Sequence, residues 1–216
     1  MLIRKGAEAS LFLENWEGRK VIMKRRLPKK YRLEKIDKKI RTQRTLHESQ
    51  LLHDAKEAGI PTPTIFFVDL ADSNIILEFV QGKQVKQILR DLSEEERRHL
   101  CKHIGTLIAR LHINDIMHGD LTTSNMILNP RSKVVFLDFG LAEKTVELEL
   151  KGVDLHLMKR ALESTHFDYS TECFKAVLDG YSEVVGTEAA QKVLKKIREI
   201  ERRGRYISDR KKPAHY

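Results

Sequence analysis

Two short polar stretches beside apolar sequence constrain the fold of this chain most. The first reads H-G-D-L-T-T-S-N at 118–125, and the second reads D-F-G at 138–140. Apolar sequence between them, at 126–128 and 134–137, predicts two short strands. Carboxylates beside buried segments cost free energy unless they are paired or bind a cation. We therefore expect the fold to bring these polar groups together with partners.

The residue types in these stretches suit a magnesium site. Mg²⁺ usually takes one or two carboxylates and completes its shell with substrate phosphates. The spacing D-x-x-x-x-N, followed by D-F-G, matches the protein-kinase arrangement. In that arrangement Asp120 handles the substrate hydroxyl, while Asn125 and Asp138 hold the metal. A polar turn between core strands would explain either motif alone, but both together favour the kinase interpretation.

A kinase site also needs a strand lysine that reaches the nucleotide phosphates and a helix carboxylate that pairs with it. The sequence V-I-M-K at 21–24 offers Lys24, although a solvated lysine at a strand end is the plain alternative. Glu48 falls three residues before Leu51 on the apolar face of the next predicted helix. A charge on that face needs a partner. Glu34 competes for this role but lies near the start of the helix.

Adenine and phosphate contacts are predicted on backbone groups. The sequence L-E-F-V at 77–80 resembles the kinase hinge, where the carbonyl of Glu78 and the amide of Val80 would read the adenine edge. An ordinary buried strand is the alternative. The glycine motif G-x-G-x-x-G is absent. A shortened phosphate loop would instead use the amides of Gly6, Ala7, Glu8 and Ala9.

The order of the predicted elements gives an α+β fold. It corresponds to a minimal bilobal protein-kinase-like fold, with a β-rich N-terminal lobe containing one main helix and a helical C-terminal lobe. The expected divisions are 1–80, 81–203 and a basic, flexible tail at 204–216. In the second lobe, a capping box at 93–96 opens one helix. Further helices are predicted at 154–164, 171–185 and 188–203, and Gly204 is expected to end the last one.

Charge points to the class of partner. The formal net charge is +9, which favours polyanions such as nucleic acid or an acidic protein face. Basic residues concentrate at 24–44 and 203–212, where we expect contacts with tRNA phosphates. Solvated helix faces would explain any one of these residues alone.

Cysteine usage and hydropathy indicate the compartment. Cys101 and Cys173 lie far apart without a C-x-x-C partner, so neither a structural disulfide nor a zinc site is expected. No transmembrane run and no signal peptide are recognisable. A cytoplasmic protein without a membrane partner is the expectation.

Several further stretches carry a resemblance to a known family. They are K-G-A-E-A at 5–9, K-R-R-L-P-K-K-Y-R at 24–32, G-I-P-T-P at 59–63, S-T-H at 164–166 and R-G-R at 203–205. Together with the H-G-D and D-F-G motifs, they lie in the same order over nearly the whole chain. The sequence thus resembles the small atypical kinase (PRPK-type) subunit of the KEOPS complex, which occurs in archaea and eukaryotes.

The resemblance implies ATP and Mg²⁺ binding, and activity as an ATPase or Ser/Thr kinase. It implies partners too: the carbamoyl-transferase subunit of KEOPS, and a small regulatory subunit on the N-terminal lobe. That complex makes threonylcarbamoyl-adenosine at position 37 of tRNAs that read codons beginning with A. Asp154 resembles a buried aspartate that braces the H-G-D turn. Lys159 stands where the family pattern has an acidic residue, which is a departure from that pattern.

The residues themselves limit the substrate. Thirteen residues separate Gly140 from Asp154, and A-P-E does not occur among them. Ordinary kinases use a longer segment to dock a peptide. Hydrolysis of ATP, phosphorylation of one docked partner and self-phosphorylation, for instance on Ser208, therefore stay open. A small-molecule phosphotransferase and a non-catalytic tRNA-binding scaffold are the alternatives.

Overall fold

The structure is a computed structural model that describes residues 1–210, with side chains described up to 203. The strands are β1 (Leu2–Lys5), β2 (Ser10–Trp16), β3 (Arg19–Arg25), β4 (Ile65–Asp69), β5 (Asn74–Glu78), β6 (Lys83–Gln84), β7 (Ile116–Met117), β8 (Met126–Leu128), β9 (Val134–Phe136) and β10 (Glu143–Lys144). The helices are α1 (Glu34–Glu57), α2 (Val85–Ile88), α3 (Glu94–Ile113), α4 (Leu148–Thr165), α5 (Ser170–Val185) and α6 (Thr187–Arg210). The α+β class predicted from the sequence is confirmed.

The chain packs as two compact units. The N-terminal unit contains 1–84 and 125–142, and the C-terminal unit contains 85–124 and the described residues from 143 onward. The division predicted at residue 80 differs from this grouping, because the β8–β9 hairpin packs with the first unit. Lys83 of β6 pairs with Leu128 of β8, and the amide of Phe136 donates to the carbonyl of Pro61 at 2.8 Å.

The N-terminal unit is built on an antiparallel sheet in the order β1-β2-β3-β5-β4. The hairpin predicted around Gly18 joins β2 to β3, and both Glu17 and Gly18 have positive φ there, as a tight hairpin turn requires. Helix α1 packs on β4 and β5. Its buried positions, which include Thr45, Glu48 and Leu52, recur at helical spacing and place one face of the helix against the sheet.

The C-terminal unit is built on helices, of which α3 and α5 pack most extensively. The capping box predicted at the start of α3 is present, since Ser93 and Glu96 bond reciprocally. Two glycines allow the helices to approach closely. A Cβ atom on Gly105 would lie 1.9 Å from the carbonyl oxygen of Val177, and one on Gly180 would lie 1.9 Å from that of Lys102.

Two predicted helix ends are wrong. Helix α4 begins at Leu148 rather than Asp154, and α6 continues through Gly204 to Arg210. A glycine inside a helix costs only about 1 kcal/mol relative to alanine, so one glycine need not end a helix. Residues 211–216, and the side chains of 204–210, lie outside the described part, so the predictions for the basic tail and for Ser208 are not tested. None of the described helices is long and apolar enough to span a membrane.

Candidate nucleotide and catalytic site

Lys24 and Glu48 form a buried ion pair in the N-terminal unit. The Nζ of Lys24 lies 2.5 Å from Oε1 of Glu48, and the two residues are 6% and 1% exposed. Lys24 sits on β3, between strands β2 and β5, while Glu48 occupies the buried face of α1. The fold thus brings together the two residues that the sequence pattern paired. Glu34, the competing candidate, is exposed at the start of the helix.

Asp138 joins the same cluster. Its Oδ1 accepts a hydrogen bond from Nζ of Lys24 at 2.6 Å and another from the amide of Gly140 at 3.3 Å. The backbone of Asp138 is left-handed, with φ of 59°, a conformation that a non-glycine residue adopts at an energetic cost. The Asp138 side chain is nevertheless 42% exposed. It is therefore held in a strained, defined position and can still meet a ligand.

Two effects oppose each other in setting the charge of Lys24. Burial alone would lower the pKa of the ammonium group, because the charged form loses its hydration. The carboxylates of Glu48 and Asp138 more than offset burial, so the pKa of Lys24 is raised above its usual value. Lys24 is therefore a cation at neutral pH.

Asn125 is positioned by the β8–β9 hairpin. Met126 pairs with Phe136, and the carbonyl of Asn125 accepts a hydrogen bond from the amide of Leu137 at 2.8 Å. Asn125 is thus opposite Leu137, the residue that precedes Asp138. One partly exposed carboxylate and one amide residue suit Mg²⁺, which uses oxygen ligands. Among the described side chains, no cluster of three or more His, Cys, Asp or Glu residues is arranged to hold a metal.

The predicted phosphate loop is closed on itself. The amide of Gly6 donates to the carbonyl of Ala9 at 2.9 Å, so it is already used within the turn. Two side chains tie the loop from outside: Lys29 donates to the carbonyl of Ala7 at 2.5 Å, and Arg44 pairs with Glu8. Phosphate binding by the amides of Ala7, Glu8 and Ala9 stays a prediction.

Glu78 is the last residue of β5, at the predicted hinge. Its amide donates to the carbonyl of Thr64 at 2.8 Å, and its carboxylate accepts from the amide of Thr64 at 3.0 Å. These bonds fix the end of β5 against the start of β4. Adenine recognition by the carbonyl of Glu78 and the amide of Val80 stays a prediction.

The H-G-D turn belongs to the C-terminal unit and is braced by Asp154, as the family resemblance implied. Asp154 is fully buried. It accepts hydrogen bonds from the amides of His118 at 2.8 Å and Gly119 at 2.9 Å, and the ring of His112 contacts it at 3.2 Å. Gly119 has φ of 78°, which favours glycine at this position. The amide of Asp120 donates to Nδ1 of His118 at 3.3 Å, so the turn fixes the backbone of Asp120.

The structure adds residues that the sequence analysis did not assign. Nη2 of Arg26 lies 2.6 Å from Oε2 of Glu48. Arg26 is two residues after Lys24, and side chains two apart along an extended strand share a face, so this spacing was the signal that could have identified it. His166 of the S-T-H stretch contacts the hydroxyl of Thr123 through Nε2 at 3.3 Å, which supports the loop after Asp120. Lys159, the departure from the family pattern, pairs with Glu201 at 2.6 Å.

Comparison with known proteins agrees with this geometry. A family model described as protein kinase domain matches residues 6–164. The KEOPS complex subunit Bud32 of Pyrococcus abyssi is 46% identical over 211 residues, which cover 95% of this chain and 96% of that protein. The chain belongs to the protein kinase family and, within it, to the Bud32 family. This confirms the family that the sequence motifs indicated.

Longer archaeal proteins also match this chain. A probable bifunctional tRNA threonylcarbamoyladenosine biosynthesis protein of Methanothermobacter thermautotrophicus is 43% identical over 205 residues. A protein of the same description from Methanobrevibacter smithii is 42% identical over 205 residues. The alignments cover 95% of this chain but 36% of each of those proteins. A Bud32-like chain therefore corresponds to about a third of each.

Proposed function

We propose that this chain is an ATP- and Mg²⁺-dependent atypical Ser/Thr kinase or ATPase that acts as a cytoplasmic KEOPS subunit. In this role it serves threonylcarbamoyl-adenosine formation at position 37 of tRNAs that read codons beginning with A. The observation that carries the proposal is that Lys24, buried with Glu48, also contacts the partly exposed Asp138 in a member of the Bud32 family. The names of the archaeal relatives, which refer to KEOPS and to tRNA threonylcarbamoyladenosine biosynthesis, support the assembly and the pathway.

Each residue of the proposed site has a physical role. Lys24, oriented by Glu48, binds the nucleotide phosphates, and Asp138 and Asn125 hold Mg²⁺. When bound, the metal neutralises charge on the transferring phosphoryl group. Asp120 orients the attacking hydroxyl or water. The carbonyl of Glu78 and the amide of Val80 bind the adenine edge.

The proposed acceptor is water, one docked partner or the chain itself. Helix α4 begins at Leu148, so seven residues follow Gly140 before the helix, and two of them form β10. A peptide-docking platform of ordinary kinases has no room in such a segment. Within KEOPS, the proposed partners are the carbamoyl-transferase subunit and a small regulatory subunit.

The proposed tRNA contacts use only part of the basic segment 24–44. Lys24 and Arg26 are buried in ion pairs, and Arg41 pairs with Asp37. The exposed lysines of the segment are those free to meet phosphates: Lys30, Lys35, Lys38 and Lys39. On α6, Lys195, Arg198 and Arg202 are exposed and provide a second set of basic residues for the proposed tRNA contacts.

The first experiment measures ATP turnover with Mg²⁺, with and without tRNA. Asp138→Ala should lower turnover by about 10²-fold or more, the scale of losing a preorganised electrostatic contact. Asp91→Ala, an exposed aspartate of the C-terminal unit, is the matched control and should keep wild-type turnover. Near-normal turnover in Asp138→Ala would overturn the metal-binding role. Turnover at background level in the wild type, with intact tRNA binding, would instead support the non-catalytic scaffold.

The second experiment separates the role of Asp120 from nucleotide binding. Asp120→Asn should lower turnover by about 10²-fold, the scale of losing a positioned base, while ATP affinity changes little. An affinity loss with unchanged turnover at saturation would contradict the role.

The third experiment concerns tRNA. Reversing the charges of Lys35, Lys38 and Lys39 should weaken tRNA binding and reduce its dependence on salt, since each lost phosphate contact lowers the slope by about 0.9. The matched control reverses Lys20, Lys83 and Lys133, which are exposed outside the segment. Equal losses in both triple variants would show that only net charge matters.

A further inference from the structure

Arg26 is a second buried cation beside the lysine of the proposed site. It follows β3 directly, and its amide still donates to the carbonyl of Ser73 at 3.1 Å. Strand alternation places Arg26 on the same face as Lys24. Arg25, between them, instead donates from Nε to Oδ1 of Asn74 at 3.1 Å. Arg26 is only 3% exposed. A guanidinium group so deeply buried requires a counter-charge.

Glu48 supplies that counter-charge with the oxygen that Lys24 does not use. Nη2 of Arg26 lies 2.6 Å from Oε2 of Glu48, and Nζ of Lys24 lies 2.5 Å from Oε1. Lys24 in turn contacts Asp138 at 2.6 Å. The four charges therefore alternate in a chain, from Arg26 through Glu48 and Lys24 to Asp138, and they sum to zero.

The cluster is compact around Gly140. A Cβ atom built on Gly140 would lie 3.1 Å from Oδ1 of Asp138, 3.5 Å from Nζ of Lys24 and 3.7 Å from Nη2 of Arg26. Arg26 thus stands against the D-F-G backbone with the other three side chains. Its Nε is buried and has no hydrogen-bond partner within the described part of the chain. Its defined ionic partner is Glu48, with Thr45 a weaker contact at 3.5 Å.

This arrangement matters when Lys24 must change partners. If Asp138 holds a cation, as proposed above, Lys24 has to exchange Asp138 for the nucleotide phosphates. Glu48, which is 1% exposed, would hold a lone buried ammonium tightly, because ion pairs are strong where water is excluded. A second cation on Oε2 shares the charge of Glu48 and weakens its hold on Lys24.

We propose that Arg26 is a positioning residue that neutralises Glu48 permanently, so that Lys24 stays oriented by Glu48 yet available to the phosphates. This inference rests on the proposed nucleotide site and adds a residue to it. Arg26 acts through Glu48 and does not itself touch the nucleotide.

The test is a double-mutant cycle between Arg26 and Glu48, with the dissociation constant of ATP–Mg²⁺ and the melting temperature measured on each variant. Arg26→Met should weaken ATP–Mg²⁺ binding by about 10-fold or more, whereas Arg26→Lys, which keeps the charge, should weaken it by about threefold or less. In the Glu48→Gln background, Arg26→Met should change the affinity by no more than about twofold, because the residue through which it acts is gone. Arg19→Met, at the exposed start of β3, is the matched control and should bind as the wild type does.

Each outcome decides the proposal. Unchanged affinity in Arg26→Met with a lowered melting temperature would reduce Arg26 to a structural residue. An equal loss of affinity in both backgrounds would show that Arg26 acts independently of Glu48. If Arg26→Met does not fold, Arg26→Gln, which keeps a donor to Glu48 without the charge, must show the same loss. Failure of the wild type itself to bind ATP–Mg²⁺ would overturn the proposed function instead.

Discussion

Each of the two units of this protein buries a carboxylate that organises its site, Glu48 in the first and Asp154 in the second, and the two are stabilised in different ways. In the N-terminal unit, Glu48 is held by the side-chain cations of Lys24 and Arg26. In the C-terminal unit, Asp154 is held by the backbone amides of His118 and Gly119 and by the ring of His112. The first set of partners is charged and flexible, while the second is mostly neutral and fixed by the chain.

The difference teaches what each carboxylate is suited to do. Long cationic side chains can exchange partners, so the Glu48 cluster can rearrange when a polyanionic ligand binds. Backbone amides cannot turn away without changing the fold of their loop, so Asp154 fixes one conformation of the H-G-D turn. The N-terminal cluster is therefore adaptable, and the C-terminal one is rigid.

The largest loss of stability is expected for Asp154→Ala. Two amides and an imidazole would lose their acceptor in a fully buried place, and each unsatisfied group costs about 1–3 kcal/mol. We expect the free energy of unfolding to fall by about 3–5 kcal/mol in urea denaturation. Asp179→Ala, an exposed aspartate on α5, is the control. If Asp154→Ala lowered the free energy of unfolding by less than Glu48→Ala does, the contrast between fixed and flexible partners would be wrong.

A smaller loss is expected for Glu48→Ala. Removal of one partner from a buried ion pair usually costs about 3–5 kcal/mol. Here Arg26 loses its defined ionic partner, but Lys24 keeps Asp138, which is partly exposed, so a loss at the low end of that range, about 3 kcal/mol, is expected from the same urea measurement. Glu57→Ala at the end of α1, where the side chain is exposed, serves as the control. A loss as large as that of Asp154→Ala would mean that the cationic partners cannot relax.

Close helix packing should make the C-terminal unit intolerant of added volume. In Gly180→Ala the new methyl group would collide with the carbonyl of Lys102, and overpacking costs about 1–3 kcal/mol. The melting temperature should fall accordingly. Lys175→Ala, on an exposed position of the same helix, should leave it within about 1–2 °C of the wild type. An unchanged melting temperature in Gly180→Ala would show that α3 and α5 separate easily.

The smallest effect concerns acid. Asp37 of α1 accepts hydrogen bonds from Arg41 at 2.7 Å and from the amide of Lys29 at 3.2 Å. The hydrogen bond from Arg41 is the main reason why the pKa of Asp37 is lowered, and burial opposes it. A carboxyl group with a lowered pKa stabilises the fold above its unfolded pKa, near pH 4, and loses that contribution as the pH falls through its folded pKa.

The free energy of unfolding, measured from pH 6 down to pH 2, should therefore fall less steeply below pH 4 for Asp37→Asn than for the wild type. Asp72→Asn, at an exposed turn, should follow the wild-type curve. Asp37 is held by cations, as Glu48 is. Parallel curves for all three proteins would show that its ionisation adds no pH-dependent stability to the fold.

Sequence patterns predicted the parts of the fold that local chemistry determines. The hairpin at Gly18, the capping box of Ser93 and the pairing of Lys24 with Glu48 follow from turn residues, caps and helical spacing. The end of α6 did not follow, because tolerance of Gly204 depends on the surrounding helix rather than on glycine itself. The grouping of 125–142 with the first unit was also missed, since it depends on the long-range pairing of β6 with β8.

The candidate site was predictable in its residue types but not in its connections. The D-x-x-x-x-N and D-F-G motifs are local and visible. The sharing of Glu48 between Lys24 and Arg26 could be predicted only from the burial of both cations. The basic run at 24–32 gives no sign of that burial, because most basic runs are solvated. His166 lies 43 residues from Thr123, and nothing in the spacing links them.

The ties on the loop at 6–9 have a consequence for the entropy of the proposed nucleotide binding. A flexible glycine-rich loop loses conformational freedom when it closes over phosphates, and that loss weakens binding. Here Lys29 holds Ala7 and Arg44 holds Glu8, while Gly6 bonds to Ala9. Calorimetry of the proposed nucleotide binding should therefore show a small entropic penalty. A loop ordered in advance gives up adaptability and gains a single shape.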